Sequence, residues 1–294
     1  MKITLTGSVG NISKPLAKKL IAAGHQVTII SSKADKVADI EALGAKAAIG
    51  LITDVDFLIK AFTGADAIYT MVPPNFGVSD YRKYIAETGE IYAQAIQRSG
   101  VKKVVNLSSI GAHLDGGTGP IAGLHDVENI FAKLDGVAVK NLRAGFFYVN
   151  FLHDIPMIKN AGIMGSNYGS EAKLVLVHPD DIADAAAEEI QGSFTGKSVR
   201  YVTSDERHVS EVVKILGTAV SKPDLKWVEF TDEQALDGML KAGFPAPVAT
   251  VYVEMGTSVR SGTMIEHYLI HKPATQGKTK LEEFAKEFAA AFNS

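Results

Sequence analysis

The chain has 294 residues, of which 46% are apolar and 21% are charged. These ordinary fractions argue against a disordered chain, a collagen-like chain and a coiled coil. Because the sequence contains no cysteine, disulfides, zinc–thiolate sites, iron–sulfur clusters and cysteine nucleophiles are excluded. The formal net charge is −3 and no basic cluster stands out, which gives no sign of nucleic-acid binding. No segment resembles a signal peptide or a membrane span of ~20 apolar residues. We therefore expect a cytoplasmic protein without metal, nucleic-acid or membrane partners.

The first 145 residues alternate between short apolar strands and amphipathic helices. Strands are predicted at Ile3–Thr6, Val27–Ile30, Ala45–Ile49, Ala67–Val72, Val104–Leu107 and Val137–Leu142. A first helix, with Leu16, Leu20 and Ile21 at helical spacing, is predicted to end at Gly24. Further helices are predicted at Lys36–Leu43, Asp54–Phe62, Tyr81–Ser99 and Leu124–Leu134. Strands that are apolar throughout and alternate with helices are typical of a parallel sheet covered on both faces. The predicted fold class is therefore α/β, with a doubly wound parallel Rossmann sheet.

The regular alternation weakens after residue 145. Strands are still predicted at Leu174–Val177, Val199–Val202 and Trp227–Phe230, and helices from His178, near Glu211–Val220, at Asp232–Ala242 and from Leu281. We divide the chain into an NAD(P)-binding domain of residues 1–145, rejoined by a strand near 199–203, and a smaller irregular lobe of residues 146–294. Ligands of open α/β sheets bind at the carboxyl ends of the strands, where this lobe is expected to hold the substrate.

A glycine-containing loop joins the first strand to the first helix. It has the spacing Gly-x-x-Gly-x-x-Ser from Gly7 to Ser13, with Ser13 in the place of a usual third glycine. Small residues here let backbone N–H groups approach a pyrophosphate at the N-terminus of the helix. The alternative interpretation is a purely structural turn. The predicted pyrophosphate-binding residues are Gly7, Ser8, Val9, Gly10, Asn11 and Ile12.

The end of the second strand distinguishes between the two dinucleotide cofactors. A site that prefers NAD places an acidic residue there, which binds the 2′-hydroxyl of the ribose and repels a 2′-phosphate. This sequence instead has Ser31, Ser32 and Lys33. Two hydroxyl groups and an ammonium group suit a 2′-phosphate through charge-assisted hydrogen bonds. We therefore predict NADP(H) in preference to NAD(H); the alternative is a solvated turn with a surface lysine.

Several segments besides the Thr-Gly-x-x-Gly opening resemble those of a known family. They are Met71–Pro74, Asn106–Ser109, Asn141–Phe147 and Val177–Ala183. The chain resembles the NmrA-like group of atypical short-chain dehydrogenases over nearly its whole length. Within that group it is most similar to the NADPH-dependent quinone, azo-dye and triphenylmethane reductases. The resemblance implies a Rossmann domain, a small C-terminal lobe and a substrate cleft between them. Relatives also include sensors that bind the dinucleotide without catalysis.

The motif residues near the ends of strands four to six are assigned to the cofactor. They are Met71, Val72, Pro73, Ser108, Ala144, Gly145 and Phe146. Orthodox short-chain dehydrogenases carry a Tyr-x-x-x-Lys pair on the next helix, but Ile121–Glu128 contains neither residue. Tyr268–Lys272 matches the letters near the C-terminus and is interpreted as a chance match. This absence favours acceptors that need little acid catalysis, such as a quinone, an azo bond or a cationic dye.

His125 and Tyr148 are the candidates for catalysis. His125 could bind the ribose or donate a proton, or it could be an exposed or capping residue. Glu128, one helical turn further on, could orient His125 or face water. Flat acceptors stack on aromatic side chains, although each aromatic residue could instead belong to the core. The predicted substrate residues are Phe76, Tyr81, Phe147, Tyr148 and Asn150.

The leading hypothesis is an NADPH-dependent oxidoreductase that transfers hydride to a quinone or a similar small conjugated acceptor. The alternative is a regulatory protein that senses the NADP(H) pool without turnover. The C-terminal helix, which carries Phe284, Phe288 and Phe292, could dock on its own chain or on a second copy. The sequence therefore leaves a homodimer open.

Overall fold

The computed structural model describes all 294 residues. The strands are β1 (Lys2–Leu5), β2 (Gln26–Ser31), β3 (Lys46–Ile49), β4 (Ala67–Thr70), β5 (Lys103–Ser109), β6 (Ala138–Ala144), β7 (Phe146–Phe147), β8 (Ile163–Ser166), β9 (Lys173–Val177), β10 (Lys197–Val202), β11 (Asp205–His208) and β12 (Lys226–Glu229). The helices are α1 (Ser13–Ala22), α2 (Val37–Glu41), α3 (Val55–Phe62), α4 (Tyr81–Ser99), α5 (Ile121–Ala132), α6 (Ile155–Ala161), α7 (Pro179–Gln191), α8 (Val209–Ala219), α9 (Asp232–Lys241), α10 (Ala246–Ser261), α11 (Glu266–Ile270) and α12 (Leu281–Asn293). Short 3₁₀ segments lie at Ala34–Lys36, Tyr148–Asp154 and Thr263–Ile265.

Seven parallel strands form the central sheet in the order β10-β6-β5-β4-β1-β2-β3. Helices α1 and α7 pack on one face, and α3, α4 and α5 pack on the other. The predicted doubly wound α/β fold is thereby confirmed. The strand order reverses between β1 and β4, and ligands of such sheets bind in the crevice beside that point.

The chain beyond residue 145 contributes both to the Rossmann domain and to a separate C-terminal lobe. Strand β10 pairs with β6 at the edge of the Rossmann sheet, and α7 packs against α1. The remaining segments form the C-terminal lobe, with one small sheet of β11, β9 and β7 and another of β12 and β8. In α12, Phe284 and Phe288 are fully buried in the core of this lobe. The aromatic face of α12 therefore docks on its own chain.

Asp181 explains the structural part of the Val177–Ala183 motif. Its buried carboxylate accepts hydrogen bonds from the backbone N–H groups of Lys278 and Thr279, both at 3.1 Å, and from the Ser204 hydroxyl at 2.5 Å. These bonds fasten the segment that leads into α12 to the first turn of α7. The motif therefore joins the C-terminal lobe to the Rossmann layer.

The structure differs from the predicted helix pattern in helix length and in number, since α6, α10 and α11 were not predicted. The helix expected at Lys36–Leu43 is shorter, because a 3₁₀ turn at Ala34–Lys36 precedes α2. Helix α10 was not predicted, since Val and Thr are frequent in it and no side chain caps its N-terminus. None of the helices combines the length and the apolar character needed to cross a lipid bilayer.

Candidate functional site

One cleft, with a cavity volume of about 600 Å³, lies at the carboxyl ends of β1, β4, β5 and β6. Its wall begins at the glycine loop and ends among apolar side chains of the C-terminal lobe. The predicted site residues in this wall are Gly7, Gly10, Asn11, Ile12, Met71, Val72, Pro73, Tyr81, Ser108, Gly145, Phe146, Phe147 and Asn150. The structure thus brings most of the proposed cofactor residues and three of the proposed substrate residues into one cavity.

The glycine loop has a backbone that only small residues accommodate easily. Gly7 has a φ of +90° and Ser8 a φ of +55°, and the N–H of Gly10 donates to the carbonyl of Gly7 at 3.2 Å. The N–H groups of Asn11 and Ile12 take no part in the backbone hydrogen bonds of the chain. These two free donors stand directly before the positive N-terminus of α1. The loop therefore fits a pyrophosphate group.

Ser13 stabilises the loop that it borders. Its hydroxyl donates a hydrogen bond of 2.8 Å to the carbonyl of Thr6, and the Thr6 hydroxyl accepts one of 2.8 Å from the N–H of Met71. The loop after β1 is thereby tied to the end of β4. The serine at the third glycine position thus supplies a hydrogen bond that glycine cannot make.

A second, smaller pocket of about 300 Å³ adjoins the glycine loop at the end of β2. Of the predicted residues, Ser8, Val9, Ser31, Ser32 and Lys33 line it. Ser31 is buried and its hydroxyl oxygen accepts hydrogen bonds from the Ser8 hydroxyl at 3.0 Å and the Lys33 N–H at 3.2 Å. Ser31 thus stabilises the turn, whereas the side chains of Ser32 and Lys33 are solvent-exposed and free to contact a ligand.

Lys36 also lines this second pocket, and sequence reasoning missed it. Its ammonium group pairs with Asp39 at 3.0 Å on the surface. The signal available was weak, because a lysine at the start of a helix is usually a solvated surface residue. The 3₁₀ turn at Ala34–Lys36 brings it to the same side as Lys33, so two ammonium groups border the pocket.

A buried ion pair supports the wall of the cleft at Ser108. The Arg143 guanidinium donates to both carboxylate oxygens of Glu128, at 3.0 and 2.6 Å, and the Ser108 hydroxyl donates to Glu128 Oε1 at 2.5 Å. The side chains of Arg143 and Glu128 are only 9% and 10% exposed. Glu128 therefore neither orients His125 nor faces water, as the sequence analysis had considered. Instead it fixes the direction of the Ser108 hydroxyl.

A row of buried, hydrogen-bonded polar side chains crosses the sheet below the cleft. The Thr70 hydroxyl donates to Asn106 Oδ1 at 2.9 Å, and the Asn106 amide donates to Asn141 Oδ1 at 3.0 Å. These residues are direct neighbours on β4, β5 and β6. Each buried amide has a hydrogen-bond partner on the next strand. This row of hydrogen bonds therefore fixes the register of the strands that lead to Met71, Ser108 and Gly145.

The structure contradicts the assignment of His125 to catalysis and ribose binding. Its Nδ1 lies 3.0 Å from the carbonyl of Ala112, and its Nε2 lies 2.8 Å from the Asn129 amide. His125 does not line the cleft, whereas Ile121 and Leu124 of the same helix do. The reason is helical geometry: His125 points toward the loop after β5, and it holds that loop.

The structure also contradicts the prediction that Tyr148 is a catalytic and substrate-binding residue. Its side chain is fully buried, its ring stacks on Phe284 at 5.3 Å, and its hydroxyl donates to the carbonyl of Thr279 at 3.2 Å. Phe147, Val149 and Asn150 line the cleft instead. The 3₁₀ turn that begins at Tyr148 directs this side chain into the core of the C-terminal lobe.

Two further predicted residues lie outside the cleft. Phe76 is 40% exposed and packs behind Tyr81, with ring centroids 6.1 Å apart. Ala144 is buried in the core between the sheet and helices α1 and α7, and this segment of the chain reaches the cavity only from Gly145 onward. The pattern of strand ends located the right segments but not the orientation of these side chains.

The far end of the cleft is formed largely by residues that sequence reasoning missed. Helix α10 and the segment after it contribute Tyr252, Met255, Val259, Met264 and Ile265. Tyr81, Ile85 and Phe147 line the same cavity, and the ring centroids of Tyr81 and Tyr252 lie 6.5 Å apart. No motif indicated α10, because its apolar residues are as typical of a hydrophobic core as of a cleft wall. Together these side chains make an apolar chamber beside the cofactor end of the cleft.

Asp154 is a half-buried acid just beyond the cleft residue His153. Burial raises the pKa of Asp154 to about 7. In the unfolded chain the pKa of an Asp is about 3.9, so the folded state binds the proton more tightly and loses stability as the pH rises from about 4 through 7. We expect Asp154→Asn to raise the melting temperature at pH 8 and to change it little at pH 4. Thermal unfolding at both pH values, with the exposed Asp35→Asn as control, checks this. An equal gain at both pH values would contradict it.

Comparisons with known proteins agree with this geometry. Residues 7–133 match a family model described as NAD(P)H-binding. The chain is 25% identical to the NAD(P)H azoreductase of Xenophilus azovorans, with 99% of each chain covered, and 25% identical to the uncharacterized oxidoreductase YesF of Bacillus subtilis, with 99% and 96% covered. The chain is thus similar in sequence to an NAD(P)H azoreductase and to a second oxidoreductase. The resemblance expected from the motifs is therefore confirmed.

Solved structures extend the likeness of the fold to the whole chain. The NADPH complex of the Escherichia coli quinone oxidoreductase QOR2 superposes with a TM-score of 0.83 at 18% identity, covering 97% of this chain and 99% of that one. The NADP(H) complex of the Citrobacter triphenylmethane reductase gives a TM-score of 0.79 at 19% identity, covering 98% and 100%. At this identity the superpositions establish a shared fold, in which both neighbours bind their dinucleotide.

Proposed function

We propose that this protein is an NADPH-dependent reductase that transfers hydride to a quinone or a similar conjugated acceptor held between the Rossmann sheet and the C-terminal lobe. One observation carries the proposal: the glycine loop and the apolar chamber are two ends of the same cleft. A reductase needs its donor and its acceptor side by side in a site that excludes water. The proposed reaction takes place in the cytoplasm.

At the cofactor end, each group has a proposed role. The N–H groups of Asn11 and Ile12 would hold the pyrophosphate, and Ser32, Lys33 and Lys36 would hold the 2′-phosphate. Gly145 and Ser108, which both line the cleft, would lie beside the nicotinamide. Any side chain at Gly145 would clash, since a Cβ atom there would lie 2.5 Å from the carbonyl oxygen of Val175. When bound, NADPH supplies the hydride from its reduced nicotinamide.

At the acceptor end, the chain contributes orientation and little acid catalysis. Helix α5 contains neither tyrosine nor lysine, and its residues Ile121 and Leu124 line the cleft. The Ser108 hydroxyl donates its hydrogen bond to Glu128, so its oxygen is left as an acceptor. A quinone needs no acid to accept hydride, and the hydroquinone anion that forms takes one proton from water. These features support an atypical reductase that works without the Tyr-Lys pair.

A titration with NADPH and with NADH, followed by addition of benzoquinone, tests the proposal. We expect bound NADPH to quench or shift the nucleotide fluorescence, and we expect rapid loss of that signal when the quinone is added. The rate must exceed that of the same mixture without protein. Tight NADPH binding with a stable signal across a panel of quinones and dyes would refute the reductase and favour a redox sensor.

The cofactor preference depends on the charge at the end of β2. We expect Lys33→Glu to lower the ratio of NADPH affinity to NADH affinity about tenfold or more, because a charge-assisted hydrogen bond contributes about 1.5–3 kcal/mol. Isothermal titration with each cofactor measures the ratio. Lys60→Glu, the same charge reversal on an exposed residue of α3, is the matched control and should leave the ratio unchanged. Equal loss of affinity for both cofactors in Lys33→Glu would contradict the assignment of the 2′-phosphate.

A further inference from the structure

We propose that the cleft selects its acceptor by charge: it takes neutral and anionic aromatic acceptors and rejects cationic ones, with an anionic substituent seated at Lys173. This inference rests on the proposed function, which it narrows to one class of acceptor. It removes cationic dyes from the substrates that the sequence analysis had considered.

The first observation is the absence of carboxylates from the cleft. Its wall contains no Asp or Glu, and Lys173 is its only fully charged side chain. Burying a cation in apolar surroundings is costly unless a negative partner compensates for the lost hydration. An aromatic cation in this chamber would lose water and find no carboxylate. A neutral quinone or azo compound has no such cost.

The second observation is the direction of the Lys173 side chain. On β9, Lys173 and Val175 share a face, since side chains alternate along a strand. Val175 lines the cleft and lies opposite Glu206 of β11. The Lys173 ammonium pairs with Glu206 at 2.5 Å, and its side chain is 35% exposed. Lys173 therefore reaches the end of the cleft and stays accessible to a ligand.

The third observation is that Glu206 does not neutralise Lys173 alone. The same carboxylate also pairs with the Lys272 ammonium at 2.8 Å and accepts a hydrogen bond of 2.8 Å from the Tyr268 hydroxyl. Two ammonium groups thus share one carboxylate, which leaves one net positive charge at this end of the cleft. A sulfonate or carboxylate on an acceptor can pair with Lys173 without displacing Glu206 from Lys272.

Binding of two non-reducible probes tests the charge selection independently of turnover. Naphthalene-2-sulfonate and 2-naphthyltrimethylammonium have the same ring and opposite charges. We expect the protein saturated with NADP⁺ to bind the sulfonate at least about tenfold more tightly, measured by the fluorescence of the ring. The same preference should appear in kcat/KM for azo dyes that carry a sulfonate or a trimethylammonium group at the same ring position, with the neutral dye as the reference in each protein.

Substitutions assign the preference to Lys173. We expect Lys173→Gln to reduce the anion-to-cation ratio about fivefold or more. Lys60→Gln is the matched control, because it removes an equal charge from an exposed residue of α3 that lies outside the cleft wall; its ratio should stay near that of the unchanged protein. A cation bound as tightly as the anion, or a ratio unaffected by Lys173→Gln, would overturn the proposal. If no dye is reduced while the probes still show the preference, the proposed function fails and the charge selection stands.

Discussion

Arg143→Met is expected to lower the free energy of unfolding by about 3–5 kcal/mol, because removing one partner of a buried pair leaves an uncompensated charge. Here the abandoned group is the Glu128 carboxylate, which is only 10% exposed and keeps one hydrogen bond, from Ser108. Chemical denaturation monitored by circular dichroism measures the loss. We also expect weaker binding of NADPH, since Glu128 holds the Ser108 side of the cleft.

Two further variants test whether the burial of the ion pair causes the loss of stability. On the neighbouring strand β10, Arg200 pairs with Glu188 and Glu189 of α7. Its side chain is 33% exposed, so we expect Arg200→Met to lose about 1 kcal/mol or less. The double variant Arg143→Met/Glu128→Leu removes both buried charges and should recover most of the stability lost by Arg143→Met alone. Equal losses in the two arginine variants, or no recovery in the double variant, would show that burial of the pair is not what matters.

The central sheet was predictable because its strands are buried on both faces. Continuous apolar runs, separated by helices that end at glycines, indicate a parallel sheet whatever the tertiary detail. The C-terminal lobe gives no such signal, as α10 shows. Its Val and Thr residues favour strands, and Pro245 before it provides no side-chain cap, so only packing against Tyr81 and Met264 makes it a wall of the cleft.

In the candidate site, too, the features set by local sequence were predictable and those set by distant contacts were not. The glycine loop follows from local chemistry, since the conformation of Gly7 and the donors at Asn11 and Ile12 belong to one continuous segment. The partners of Glu128, His125 and Tyr148 depend on residues 15, 13 and 131 positions away along the chain. Side-chain direction decided each of these cases, and spacing in the sequence does not determine direction at a helix surface or at a strand end.

Gly7→Ala is expected to weaken NADPH and NADH by a similar factor of roughly 30 or more, which corresponds to about 2 kcal/mol or more for displacing a phosphate from charge-assisted hydrogen bonds. Two effects act together. The φ of +90° is unfavourable for alanine, and the added Cβ atom would lie 2.6 Å from Ser13 Oγ and 3.1 Å from Met71 Cγ. The loop must therefore move away from the geometry in which the Asn11 and Ile12 N–H groups are placed for the proposed pyrophosphate contact. Titration with both cofactors measures the loss.

Gly24→Ala separates the loss of cofactor binding from backbone strain in general. Gly24 follows the other end of α1 with a φ of +83°, and nothing lies within 4 Å of an added Cβ atom. Both substitutions should cost about 1–2 kcal/mol of stability from the left-handed backbone alone, but only Gly7→Ala should affect the cofactors. Adding Ser13→Gly to Gly7→Ala removes the closest contact, at the expense of the hydrogen bond to Thr6, and should restore part of the affinity. Unchanged NADPH affinity in a folded Gly7→Ala protein would remove the glycine loop from the cofactor site.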